Sequence, residues 1–121
     1  MIQLLPVTEK SFIDRLNKAY KTEAAHAYAC VEKKEIKATC LYNIEKGKGI
    51  ILNVSSVEDA IFDGLVRAVF ASLLEMGIDR AEFGRDVPLD TLVRLGFVQD
   101  DTRTTPSIRE MMEKHKNCAN P

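Results

Sequence analysis

Two neighbouring stretches of the chain alternate with period two. In "AHAYACVE", Ala27, Ala29 and Val31 share one face, while His26, Tyr28 and Cys30 share the other. In "EIKATCLYNI", Ile36, Ala38, Cys40, Tyr42 and Ile44 alternate with Lys37, Thr39, Leu41 and Asn43. Folding one onto the other about Lys33 and Lys34 opposes Val31 with Ile36, Ala29 with Ala38, and Ala27 with Cys40. That register puts both apolar sets on one side of a hairpin, with a small Ala/Cys surface that a helix can approach closely. "EKGKG" makes the next turn, with Gly47 and Gly49 free to take positive φ. "IILNV" follows as the third strand of a meander and is apolar enough to be central.

The remaining segments switch to helical spacing. After a first strand, "IQLLPV", the run "TEKSFIDRLNKAYK" places Phe12, Ile13, Leu16 and Tyr20 on one helix face, with Thr8 as cap. From Val57 to Met76, Ile61, Phe62, Leu65, Val66, Val69, Phe70, Leu73 and Leu74 form a wide stripe, stopped by Gly77. "IDRAEFG" reads as a strand, "PLDTLVRLG" as a short helix ended by Gly96, and "FVQ" as the start of a further strand. In the tail, Ile108, Met111, Met112 and His115 recur at helical spacing after Pro106, predicting a helix docked on this domain or across a dimer, with Glu110 and Lys114 paired outside. The order is βα, then βββ, then αβ, αβ and a helical tail, which is a mixed α/β domain.

Composition narrows what such a domain does. At 121 residues the chain makes one domain, spanning residues 1–121, with enough length for a core. A net charge of −1 offers no basic field for nucleic acid. No run approaches the about 18 apolar residues that span a bilayer, and "MIQLLPVTEK" lacks the marks of a signal peptide, so the expected location is cytoplasmic. Cys30, Cys40 and Cys118 are odd in number and form no CxxC pair, against a disulfide framework or a thiolate zinc site; Cys30 and Cys40 read as buried small side chains. His26 and His115 are too far apart in sequence to suggest a metal site.

The element order, together with "GLVRAVFASLLEMG" and "LVRLGF", resembles the GNAT N-acetyltransferase superfamily over about Met1 to Asp101, leaving 102–121 as a tail. The first segment looks like that family's cofactor-loop helix and the second like its Leu-Gly-Phe segment. The resemblance implies a cleft for acetyl-CoA between "IILNV" and "IDRAEF", where two strands splay. Backbone groups of Asn53 and Val54 would meet the pantetheine arm, Gly64 would align to the first glycine of the loop, and amides at the following helix start would hold the diphosphate.

The sequence departs from the family pattern where the chemistry lies. Ile61 stands for the family's Gln or Arg, Val66 for a second small residue, and Leu92 for a tyrosine acid. No carboxylate base is offered by Ile50, Ile51, Leu52, Asn53 or Val54; Glu82 is a candidate from elsewhere that reads more simply as a surface strand charge. Glu58, Asp59 and Asp63 would oppose an anion at this helix start. The same "SSVED" also reads as a plain helix start: Ser55 and Glu58 as a capping box, acids at the positive helix end, and Asp63 paired with Arg67 four residues on. The catalytic residues are therefore unassigned. Three functions follow from the resemblance: an N-acyltransferase acting on an amine with altered or lost transfer, a binding or assembly module with a protein partner, and a small-molecule sensor using the same cleft.

Overall fold

In the computed structural model, which describes residues 1–115, the chain turns at Lys33 and Lys34 with both residues in left-handed backbone (φ 52° and 65°). This tight turn joins β2 (His26–Glu32) to β3 (Glu35–Glu45). A second turn, at Lys46 and Gly47 (φ 52° and 77°), leads into β4 (Lys48–Val54). Gly49, expected in that turn, instead lies buried in β4, where a Cβ would collide with Leu73. With β1 (Ile2–Pro6), β5 (Ala81–Phe83) and β6 (Thr104–Thr105), these strands form one sheet in the order β1-β2-β3-β4-β5-β6. Every neighbouring pair is antiparallel except β4 and β5, which run parallel.

The helices divide between the two sheet faces. α2 (Asp59–Glu75), α3 (Leu89–Arg94) and α4 (Ile108–His115) lie on one side, where Phe70 packs against Phe83 at 6.1 Å and edge-on to Phe97 at 5.7 Å between ring centres. α1 (Lys10–Tyr20) covers the other side with Ile13 over Ala27 and Leu41. α2 stops as its sequence dictates. Gly77 takes φ 79°, and the amides of Gly77 and Ile78 turn back to Leu74 and Leu73. Ile108 and Met111 are buried in the α2-side core, so the tail helix docks on its own domain.

The hairpin register differs from the expected one. Val31 does face Ile36, but Lys37 is an extra residue, and beyond it Cys30 pairs with Ala38, Ala29 with Thr39, and Ala27 with Leu41. The expected pairing assumed one covered face. Both faces are covered, so Cys30, Ala38, Cys40 and Tyr42 go to the α2 side while Ala27 and Leu41 go to the α1 side. The bulge places Lys37, whose Nζ reaches Glu35 at 3.2 Å, outside the buried run.

Other local expectations are also corrected. Thr8 does not cap α1, which begins at Lys10 after Glu9 without a side-chain cap bond. Ser55 and Glu58 make no capping box: Ser55 Oγ accepts from the Thr39 amide at 2.8 Å, and Ser56 Oγ from the Glu58 amide at 3.1 Å. "FVQ" is no strand, because Phe97 and Val98 turn into the core; the strand beside β5 comes at Thr104–Thr105. No Glu110–Lys114 ion pair occurs among the described residues. Cys30 and Cys40 are free and buried, as expected, while Cys118 lies outside the described residues. No helix is long and apolar enough to cross a membrane among those residues.

Candidate functional site at the strand splay

The parallel pairing of β4 with β5 ends at Ile51 and Phe83, and its last bond runs from the Gly84 amide to the Ile51 carbonyl at 2.8 Å. β4 continues for three residues without its neighbour. A bulge coincides with this parting: Tyr42 faces Ile51 and Leu41 faces Asn53, leaving Leu52 extra. The bulge reverses which backbone groups point which way. Gly49 and Ile51 direct theirs towards β5, whereas Ser55 bonds back to Thr39 of β3 at 2.9 Å. With Cys40 opposite Val54, the Val54 N–H and C=O are then turned towards the open side, beyond the end of β5.

Asn53 differs. Opposite Leu41, its side chain shares the α1 face, and its Oδ1 is buried with no hydrogen-bond partner, the one such side-chain atom among the described residues. Gly64 does not join these two. It lies in the second turn of α2, where a Cβ would stand 3.2 Å from Leu4 Cδ1 of β1, three strands away from β4. Its small size serves helix-to-strand packing there.

The acidic helix start is largely neutralised from within. Asp59 holds the Arg94 guanidinium through two bonds, at 2.8 and 3.3 Å, tying the start of α2 to the end of α3 and keeping Arg94 charged above its already high range. Asp63 takes Arg67 at 2.9 Å, as the four-residue spacing predicts, and that guanidinium also lies over the Phe97 ring. The three positions that depart from the family pattern are core positions: Val66 and Leu92 are fully buried, and Ile61 packs on the same cluster. Glu82 is held by Lys48 at 2.7 Å across β5 and β4. Tyr42 is buried in the α2-side cluster, and burial raises its pKa against the opposing pull of a hydrogen bond with Ser72. Among the described residues, no three His, Cys, Asp or Glu side chains converge to hold a metal ion.

On the α1 face the parting strands open into a groove of about 600 Å³, with Leu52 in its lining. One wall is the loop of Lys21, Thr22 and Glu23; the other is Gly84, Arg85 and Asp86. Both walls are pinned by polar side chains whose roles the sequence pattern does not betray. Asn17 bonds to Ala24 through both its oxygen and its nitrogen, and Asn43 does the same with Ala25 and Glu23. Across the groove, Arg103 Nη1 donates to the Gly84 and Val87 carbonyls at 2.8 and 2.6 Å. Asn43 and Arg103 lie 16 or more residues in sequence from the loops they hold, so no local motif marks them. A second cavity, about 390 Å³, lies against Phe97, Val98 and Met111 beside α4.

Comparison with known proteins places this architecture. The chain superposes on an IAA acetyltransferase from Bacillus cereus with TM-score 0.60 and 14% identity, covering 79% of this chain and 76% of that one. It superposes on a probable acetyltransferase from Staphylococcus epidermidis with TM-score 0.53 and 16% identity, over 69% and 72% of the two chains. A GNAT-family acetyltransferase from Staphylococcus aureus gives TM-score 0.52 and 10% identity, over 78% of each chain. No protein-family profile and no curated protein sequence matches the chain. The fold is therefore that of the GNAT acetyltransferases, as the element order implied.

Proposed function

We propose that this is an acetyltransferase-like protein of GNAT fold in which acetyl-CoA-dependent N-acetyl transfer is lost and the fold serves as a ligand-binding module. The observation that carries this reading is the start of α2. Asp59 already occupies Arg94, and Gly64 lies inside the helix against Leu4, so no glycine loop surrounds the amides that would meet a diphosphate. Glu58, outside the ion pairs of the described residues, adds negative charge where an anion would have to sit. The residues present do not fit the diphosphate half of acetyl-CoA. The strand half fits better: the backbone of Val54 is open, and Asn53 lies beside it. That opening is the one feature favouring the alternative, a transferase that has kept weak activity on an amine.

The test is calorimetric titration and thermal melting with acetyl-CoA at millimolar concentration, beside an assay for acetylation of a panel of amines. The expected result is no saturable heat, no rise in melting temperature and no acetylated product, since a ligand bound only to the native state must stabilise it. Saturable binding with turnover would restore the enzyme. Binding without turnover would make the cofactor face itself the ligand site.

A further inference from the structure

We propose that the cavity beside α4 binds the C-terminal end of an extended peptide whose last side chain is apolar, the peptide adding as a short strand to the β6 edge of the sheet. The proposal rests on the reading of this fold as a ligand-binding module and gives that module a site. The site involves neither the parting of β4 from β5 nor the start of α2.

A free pair of backbone groups marks this edge. Among the described residues β6 ends the sheet, with β5 on one side and no strand on the other. The Phe83 amide donates to the Arg103 carbonyl at 2.9 Å, so those two residues form a bonded antiparallel pair. The next pair, Glu82 with Thr104, is then of the non-bonded kind, and the Thr104 N–H and C=O turn away from β5 to the open edge. Thr104 and Thr105 both line the cavity. A two-residue edge with one free donor and one free acceptor suits the last residues of a chain, not a long strand.

The cavity supplies the place for a side chain and the charge for a terminus. Thr105 is buried on the α2 side, where its Oγ1 donates to the Phe97 carbonyl at 2.6 Å. A peptide residue set beside Thr105 carries its side chain to that same side, over Phe97, Val98 and Met111. Both walls are fixed. Asp79 holds the start of α4 through the Ser107 hydroxyl and the Arg109 amide, at 2.9 and 2.7 Å, and Asp100 Oδ1 takes the Thr102 amide and hydroxyl, at 3.0 and 2.7 Å. Asp100 is thereby committed, whereas Arg80, Glu110 and Lys114 enter no ion pair among the described residues. Two free cations against one free anion favour a carboxylate. Asp100 precedes β6, while Arg80 lies past Thr105, next to its partner Ala81. A peptide running parallel to β6 therefore ends its carboxylate near Arg80. Its last N–H donates to the Thr104 carbonyl, and its carbonyl two residues earlier accepts the Thr104 N–H.

The experiment is an amide-resolved NMR titration of the full chain with N-acetyl-Ala-Ala-Leu, compared with its C-terminal amide and with N-acetyl-Ala-Ala-Gly. The expected result is saturable shifts at 97–99, 104–105 and 110–111, with the amide and the glycine peptide each weaker by about fivefold or more. Arg80→Gln, an exposed substitution, should weaken the free-acid peptide by about three- to fivefold, leave the amide peptide unchanged and not move the melting temperature. Absence of saturable shifts overturns the proposal, as do equal affinities for the acid and its amide, or an Arg80→Gln protein that binds both as the wild type does. Shifts of the same amides on dilution without peptide would put a second copy of the chain at this edge and overturn it too. Acetyl-CoA binding with turnover overturns the loss of transfer and leaves this site standing, whereas silence towards the peptides does the reverse.

Discussion

The two faces of the sheet are made of similar residues but are finished differently. On the α2 side, twenty buried residues form one continuous cluster; on the α1 side the buried cluster has four, among the described residues. The large cluster takes in the positions where the family pattern would put chemistry, so Val66 and Leu92 stabilise the fold there. The small cluster leaves polar side chains to do the holding, and a groove remains beside it. The apolar face is closed by packing except for the cavity at its edge beside α4, whereas the face fixed by hydrogen bonds between loops keeps an open groove over the parting strands.

The sharpest way to break this comparison is to remove its two anchors in turn. Phe70→Ala, in the middle of the Phe83–Phe97 cluster, should cost about 3–5 kcal/mol and leave the domain barely folded. Ile13→Ala, in the four-residue cluster, should cost about 2 kcal/mol in the same urea unfolding experiment. Equal losses would show that the α1 face is as tightly built as the other.

Alkaline pH gives a smaller effect specific to the α2 side. Burial holds the Cys40 thiol far above its ordinary range, so the unfolded chain releases that proton while the native one keeps it. Stability is therefore full below about pH 8.5 and falls as pH rises above it. Cys40→Ala should reduce that fall by up to about 1.4 kcal/mol per pH unit, read from denaturant midpoints between neutral and alkaline buffers. An unchanged slope would mean that Cys40 ionises inside the native protein.

The smallest effect concerns the Asp59–Arg94 pair, with both side chains about half exposed. Asp59→Asn should lower the melting temperature slightly at low ionic strength, and the difference should vanish near about 1 M salt. A large, salt-resistant loss would mean that this contact, and not the packing beneath it, closes the α2 face.

Periodicity alone was enough to determine the elements from β1 to α3, their order, the tail helix and the end of α2 at Gly77, because burial of one face and the left-handed stop are local properties of a few residues; the last strand, expected at "FVQ" and found at Thr104–Thr105, it did not determine. It also determined the Asp63–Arg67 pair, which needs only the helix. Tertiary structure decided the rest. The Lys37 bulge follows from covering both faces of the sheet, which alternation along one strand cannot report. Ser55 was drawn from its helix to Thr39 because β3 stood close enough to compete. Asp59 meets Arg94 across 35 residues, and Arg103 reaches Gly84 and Val87 across 19 and 16. The sequence carries every residue of the groove, but only the meeting of α1, β3, β4 and the loop after β5 makes those residues neighbours, since the bonds that fix them join positions with no shared period.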